Sequence, residues 1–254
     1  LKMKRYFYTV LGAAIILTFA GCAGQNTQMD GSAMAQNSDQ AFEQQVSESS
    51  PAASQADDAL DLIEFTLDET ADGYCIIAAD TSISGDLVIP DQYNGRPVVR
   101  IAERAFYNCE ALNSIALPDS ITAIGASAFR GCSGLTSVSL PGGLEVIPSD
   151  CFHGCTALRS VDIPSGVQQI SERGFYECES LEEIDLPDSL QKIDPSAFRR
   201  CSSLGEIQIP LSVERIGEHA FYGCDNIVVY CEADECPEGW AENWIESSQT
   251  VYWG

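Results

Sequence analysis

Apolar residues recur every 23 positions between residues 101 and 227. Isoleucine lies at 101, 124, 147, 170, 193 and 216, phenylalanine at 106, 129, 152, 175, 198 and 221, and cysteine at 109, 132, 155, 178, 201 and 224. Leucine follows at 112, 135, 158, 181 and 204, with Ile227 in the sixth place. Columns that keep one phase over six units identify an internal repeat, because chance does not maintain such a register.

Each repeat predicts one strand and one tight turn. Ile115 and Leu117 are separated by a single residue, which is the period of a strand with one buried face. Pro118 ends that strand, because proline donates no ladder hydrogen bond. The pattern Ala-Phe-x-x-Cys-x-x-Leu has the i, i+3, i+6 spacing of a short helical or 3₁₀ turn. One unit cannot bury these side chains alone, so the units must stack, about 4.8 Å apart, into a solenoid with one core.

Both ends depart from the repeat, as they must to cover the core of a solenoid. Residues 63–77 predict a hairpin with its turn at Asp72-Gly73, and residues 87–90 are a first repeat strand. All three tryptophans fall in the last 15 residues. We expect them to cover the apolar face of the last coil; the sharper alternative is an aromatic platform for sugars.

The N-terminal segment is typical of an exported protein. The positively charged segment 2–5 precedes an apolar run over residues 6–20, which is short for a bilayer span and predicts a cleaved signal peptide. The segment 18–22 resembles a bacterial lipobox, although Phe19 stands where Leu is usual, and this resemblance predicts acylation of Cys22. An ordinary signal peptide with an incidental cysteine is the alternative. Residues 23–60 are almost empty of large apolar side chains and predict a flexible tether.

The repeat resembles the 23-residue leucine-rich repeat of the BspA-like class of bacterial surface proteins, over about residues 74–253. The resemblance implies an α/β repeat solenoid with short strands, short helical or 3₁₀ turns, and a cap at each end. The asparagine that usually follows the strand in leucine-rich repeats is replaced by serine or glycine, so no asparagine ladder is expected. The predicted order is a signal peptide (1–21), a lipid-anchored linker (22–60), an N-terminal cap with the first repeat (61–100), the repeats (101–227) and a C-terminal cap (228–254).

The chain is strongly acidic, with 38 acidic and 13 basic residues and a net charge of −25. Three of the basic residues lie at positions 2, 4 and 5, and no acidic residue precedes Asp30. Removal of the leader therefore leaves 10 basic and 38 acidic residues, a net charge of −28. Nucleic acid is excluded as a partner because its phosphates would be repelled. Solubility is one account of this charge, and basic partners or divalent cations are the other.

Eleven cysteines in an exported chain ordinarily suggest disulfides. The six in the repeat column are predicted instead to be reduced thiols that pack as small apolar groups. A bridge between Cys231 and Cys236 stays open. Cys151, His153 and Cys155 look like part of a metal site, but the other histidine is almost three repeats away and zinc needs further ligands. We therefore predict no metal site. We also predict no cofactor, because no phosphate-loop, dinucleotide or nucleophile motif occurs.

The outward residues of the strands define a candidate binding face. They change from small and neutral in the early coils to acidic in the later ones, and the candidate residues are Arg159, Asp162, Glu182, Glu183, Asp185 and Glu206. Arg159 and Glu182 are expected to pair, whereas Asp162 and Asp185 are like-charged neighbours, which destabilises a sheet. We hypothesise that this cluster receives a basic protein segment or a calcium ion. A solvated face is the alternative.

The sequence favours a non-catalytic adhesion or protein-binding module, held by a lipid anchor on the exterior of the bacterial envelope. The resemblance implies attachment to an extracellular protein, from the host matrix or a bacterial surface, with membrane contact only through the anchor. A structural or self-associating envelope lipoprotein is the second hypothesis. A glycan-active enzyme is the third, because adjacent strands would set Asp162 and Asp185 near the roughly 5 Å separation of a retaining glycosidase pair.

Overall fold

A computed structural model describes residues 59–254, which fold as a solenoid of stacked parallel strands. The predicted signal peptide, Cys22 and nearly all of the predicted linker lie outside the described residues. Within residues 59–254, helix is limited to Ala59 and Leu60, and this part of the chain holds no helix of the length and apolarity that a membrane span requires.

The described residues form seventeen strands. In chain order these are β1 (Ile63–Asp68), β2 (Gly73–Ala79), β3 (Gly85–Val88), β4 (Gln92–Tyr93), β5 (Arg96–Ile101), β6 (Leu112–Ala116), β7 (Ala123–Ile124), β8 (Ser137–Ser139), β9 (Val146–Ile147), β10 (Ser160–Asp162), β11 (Gln169–Ile170), β12 (Glu183–Asp185), β13 (Lys192–Ile193), β14 (Glu206–Ile209), β15 (Arg215–Ile216), β16 (Val228–Cys231) and β17 (Thr250–Trp253).

A long ladder of eight parallel strands, one per coil, lies on one side of the solenoid in three hydrogen-bonded groups: β3-β6-β8, β10-β12 and β14-β16-β17. β8 lies against β10, and β12 against β14, without strand pairing. These strands alternate as the sequence predicts. In β10 the central Val161 is buried, and its neighbours Ser160 and Asp162 are exposed. The register joins Val161 to Ile184 of β12, so the inward residues of successive coils stack directly on one another. The outward residues therefore form straight columns along the solenoid.

A second, shorter ladder carries the isoleucine column on another side of each coil. It joins β5 to β7, and β9, β11, β13 and β15 to one another, all in parallel. The sequence predicted one strand in each repeat, so this ladder is an addition. Strands of two residues, such as β11 with buried Ile170, are too short to show an alternation that sequence patterning can detect.

The predicted helical or 3₁₀ turns are not present in the described coils; the Ala-Phe-x-x-Cys segments form irregular turns instead. Two left-handed residues in each coil explain the difference. One column has φ between 54° and 59° and comprises Arg104, Ser127, Asp150, Arg173, Ser196 and His219. The other lies four residues later, with φ between 59° and 78°, and comprises Asn108, Gly131, Gly154, Glu177, Arg200 and Gly223. A positive φ interrupts a right-handed helix at both places.

The phenylalanine and cysteine columns form the centre of the core. The six phenylalanine rings are buried and stack from coil to coil, with centroids 5.2–5.5 Å apart and planes within 13° of parallel. Each cysteine thiol from the second coil onward donates to the phenylalanine carbonyl of the preceding coil. The Sγ–O distance is 3.2 Å between Cys178 and Phe152 and 3.1 Å between Cys201 and Phe175. The column thus packs like an apolar group and also links successive coils.

Both ends of the core are covered. At the N-terminal end, β1 and β2 form the antiparallel hairpin that the sequence predicts, with Asp72 in a left-handed turn conformation. At the C-terminal end, Trp240 and Trp244 are buried, and Trp244 packs edge-on against Phe221, the last ring of the stack. The Trp240 indole N–H donates to the carbonyl of Val213 at 3.1 Å. Two of the three tryptophans therefore close the core, as expected.

Candidate functional site

The strand face, which we define as the outward residues of β3, β6, β8, β10, β12, β14, β16 and β17, is a regular surface that runs through eight coils. The predicted acidic residues lie on it and are exposed: Asp162 in β10, Glu183 and Asp185 in β12, and Glu206 in β14. Asp162 and Asp185 are direct partners across the β10–β12 register, as the 23-residue repeat predicts. Two like charges therefore face solvent side by side.

The single cation among the predicted site residues is already paired. Arg159 Nη1 donates to Glu182 Oε1 at 3.1 Å, and both side chains are more than 60% exposed. An exposed pair of this kind contributes at most about 1 kcal/mol. Because this guanidinium is engaged, it does not neutralise Asp162 and Asp185, so the middle of the strand face remains anionic.

The N-terminal part of the strand face is mostly small and uncharged, with the apolar side chain of Val88 exposed in β3. Asp86 of β3 is the exception, and its carboxylate accepts hydrogen bonds from Ser114 Oγ at 2.6 Å and Asn113 Nδ2 at 2.7 Å. These two bonds, that of Ser114 first, lower the pKa of Asp86. Ser137, Ser139 and Ser160 continue the small polar surface toward the acidic coils.

The C-terminal end of the strand face carries two tyrosines that the sequence analysis missed. Tyr230 and Tyr252 are register partners in β16 and β17. They are 45% and 55% exposed, with ring centroids 5.3 Å apart and planes 13° from parallel. Their position in the sequence predicts only that they belong to the C-terminal cap. The strand face therefore changes along the solenoid from mostly small and uncharged, to acidic, to aromatic side chains.

A charged cluster on the turn side of the solenoid was also missed. The side chain of Asp150, 12% exposed, lies 3.3 Å from both Arg130 Nη1 and Arg173 Nε and 2.7 Å from His153 Nδ1. The 23-residue spacing places these residues in the turns of neighbouring coils. It does not predict that their side chains point toward one another. The cluster joins three successive coils and pairs opposite charges within the protein, although the buried Arg173 Nε has no hydrogen-bond partner.

The cysteines of the Cys151–His153–Cys155 segment are inert in this arrangement. Both thiols are fully buried, and burial raises the pKa of each. His153 directs Nδ1 to Asp150 rather than to either sulfur. Among residues 59–254, no group of three or more potential metal-ligating side chains comes together. The thiols of Cys231 and Cys236 are free; the first is buried and the second exposed.

Comparisons with known proteins agree with this architecture. A family model described as the BspA type leucine rich repeat region matches residues 98–228 in six copies. A leucine-rich-repeat protein of T. pallidum is 35% identical, with a TM-score of 0.63, over 66% of this chain and 78% of that one. A leucine-rich cell surface protein of Faecalibacterium prausnitzii is 34% identical, with a TM-score of 0.54, over 59% of this chain and 38% of that one. No curated protein sequence matches the chain.

A leucine-rich-repeat protein of Eubacterium ventriosum shares the fold at 22% identity, with a TM-score of 0.53, over 70% of this chain and 52% of that one. The repeats of this family are protein-interaction or surface-repeat modules and are typically non-catalytic, and proteins that carry them are typically at the cell surface. The family model covers more than half of the sequence and coincides with the stacked coils. The chain belongs to the BspA-type leucine-rich-repeat family.

Proposed function

We propose that this protein is a cell-surface adhesion module that binds a basic segment of an extracellular protein on its strand face. The observation that carries the proposal is the exposed pair Asp162 and Asp185, side by side on β10 and β12. Like charges opposite one another cost stability, so a sheet that keeps them without a neutralising neighbour is suited to an external cation. A partner with lysine or arginine side chains supplies that charge.

The charge of the whole molecule supports the same class of partner. At a net charge of −28 after removal of the leader, the protein attracts basic surfaces and speeds their encounter with it. Calcium is the simplest competitor for the acidic residues, since carboxylate oxygens suit it. A calcium ion needs six to eight oxygen ligands, however, and the two aspartates alone supply at most four. A basic segment, which requires only paired charges, fits the flat face better.

Titration calorimetry tests this binding. Basic peptides and calcium are titrated separately into the parent and into the Asp162→Asn/Asp185→Asn variant. We expect the peptide heats to shrink in the variant, and to stay at the parent level in Glu172→Gln/Glu218→Gln, which removes two exposed charges outside the strand face. Equal heats for the parent and the aspartate variant would contradict the proposal.

We also propose that a lipid on Cys22 presents the module at the surface of a bacterial envelope. The support is the lipobox-like segment 18–22 after an apolar run, followed by a polar stretch that reaches to about residue 60. Metabolic labelling with a fatty-acid analogue is expected to mark the parent and not Cys22→Ser. Retained label in that variant would place the acyl group elsewhere and remove the basis for the anchor.

A further inference from the structure

The stacked tyrosines Tyr230 and Tyr252 contribute nothing to the core, although the strands that carry them do. In β16 the alternate residues Val229 and Cys231 are buried, and they fix the backbone from which Tyr230 projects outward. Roughly half of each tyrosine remains exposed. Exposed aromatic rings on a rigid sheet are pre-organised for contact, because little side-chain entropy is lost when they bind.

On the turn side of the solenoid, the outward tyrosines have an arginine as partner. The guanidinium carbon of Arg199 lies 5.0 Å from the ring centroid of Tyr222 and 6.0 Å from that of Tyr176. Arg104 lies 5.8 Å from the ring of Tyr107. Within residues 59–254, no guanidinium or ammonium lies over Tyr230 or Tyr252 in this way. The two strand-face tyrosines, unlike those of the turn side, thus have a π-surface without an internal cation.

The surroundings of the two rings are anionic. Outward residues of the preceding coils include Glu206 and Asp185, and the Glu232 carboxylate accepts a hydrogen bond from Gln208 Nε2, the neighbour of Tyr230 in the register. A neutral apolar ligand gains nothing from these charges, whereas an arginine gains both ring stacking and nearby carboxylates.

We infer that Tyr230 and Tyr252 form an arginine-binding platform that holds one end of the basic segment on the strand face. This inference rests on the proposed function and names the chemistry of its ligand. The platform is a specificity-determining site: the tyrosine rings favour a planar guanidinium, while the aspartate pair accepts any cation.

The spacing of the ligand's basic residues follows from the ladder. The midpoint of β10 and β12 lies three coils from the midpoint of β16 and β17, which at the strand spacing is about 14 Å. An extended peptide advances about 14 Å in four residues and returns its side chains to the same side. A basic residue over Asp162 and Asp185 therefore places the residue four positions away over Tyr230 and Tyr252.

The test uses fluorescent nine-residue peptides of glycine and serine, each with two basic residues, titrated against the full chain in low salt. One peptide has two arginines four residues apart, the second has two lysines at the same positions, and the third has two arginines three residues apart, whose side chains point to opposite sides. We expect the first to bind most tightly. In Tyr230→Thr/Tyr252→Thr its affinity is expected to fall about fivefold, to the level of the lysine peptide, since an exposed cation–π contact contributes about two- to fivefold.

Two further variants separate the platform from a general effect on folding. Tyr230→Phe/Tyr252→Phe keeps both rings and is expected to bind like the parent. Tyr222→Thr removes a tyrosine of similar exposure, 43%, from the turn side and is also expected to bind like the parent. Urea unfolding of each variant confirms that the compared chains are folded.

The outcomes distinguish the platform from the proposed function. If Asp162→Asn/Asp185→Asn weakens binding and the threonine variant does not, the platform is overturned and the acidic site stands. If the parent binds none of the peptides, both are overturned. If neutral oligosaccharides bind and the threonine variant loses them while its peptide affinities stay at the parent level, the tyrosines are a sugar platform and the inference is wrong.

Discussion

Replacement of Gly154 by alanine tests the turn geometry that distinguishes this fold from its sequence-based prediction. Gly154 has a φ of +74° and occupies the second left-handed column of the coils. An added Cβ would meet only the backbone of Gly131, at 3.9 Å, so it has room. Any loss of stability in Gly154→Ala therefore comes from the backbone conformation and not from a clash.

The expected magnitude combines two opposing contributions. A left-handed conformation costs an alanine about 1–2 kcal/mol. Alanine also restricts the unfolded chain, which offsets roughly 0.4–1 kcal/mol of that cost. The net expectation is a loss of about 1 kcal/mol in the free energy of unfolding. If the segment were helical, as the apolar spacing alone predicts, the same substitution would instead stabilise the protein by about 1 kcal/mol.

Urea unfolding followed by circular dichroism measures the change. With an m-value of about 2 kcal/mol per molar, the midpoint of Gly154→Ala should fall by about 0.5 M. Gly143→Ala is the matched control in the same coil region: its φ is not left-handed and its Cβ would meet no atom within 4 Å. This control should be neutral or slightly stabilised. A midpoint for Gly154→Ala at or above that of the control would refute the left-handed turn.

Two further substitutions test the core thiols and the turn-side cluster. Burial raises the pKa of Cys201, and that of Cys224 to about 12, above the usual value of 9.0. Their contribution to stability is therefore complete below about pH 9 and is lost as the pH rises toward the folded-state pKa. Between pH 9 and 10, Cys201→Ala should make the decline in unfolding free energy shallower by as much as 1.4 kcal/mol per pH unit, measured by urea titration; an unchanged slope would contradict this. Asp150→Asn keeps a side chain that tolerates the left-handed backbone but removes the charge held between Arg130 and Arg173. It should lower the unfolding free energy by about 1–2 kcal/mol; no change in midpoint would show that the ion pairs with these half-buried arginines contribute nothing.

The residues of the core were predictable because apolar residue types at a constant spacing are enough to identify buried positions. Columns such as Phe152, Cys155 and Leu158 recur at one spacing, and all three side chains are fully buried in the structure. The turn conformation was not predictable from the same spacing, because i, i+3, i+6 apolar positions fit a helix and an irregular turn equally. A signal was present: glycine occupies the second left-handed column at Gly131, Gly154 and Gly223. Glu177 and Arg200 at the same position obscure it, since such residues rarely adopt a positive φ.

The acidic part of the strand face was predictable, and its aromatic end was not, for one geometric reason. Through β10 and β12 the register follows the 23-residue repeat, so the partner of Asp162 could be read from the sequence. Between β14 and β16 the register shortens by one: Gln208 pairs with Tyr230, 22 residues later. A shift of one residue exchanges the two faces of a strand. Extension of the 23-residue spacing therefore assigns buried Cys231 to the strand face and Tyr230 to the core.

The two sides of each strand in the long ladder are under different constraints. Membership of the family therefore does not identify the ligand. The inward side repeats nearly the same residue in every coil, because each coil must fit the one before it. The outward side is free of that constraint, and here it changes in order from the serines of β8 to the aspartates of β10 and β12 and then to Tyr230 and Tyr252. Such an ordered face has a direction. The segment that we propose as ligand can place its arginine over the tyrosines and its second cation over the aspartates in only one orientation along the solenoid.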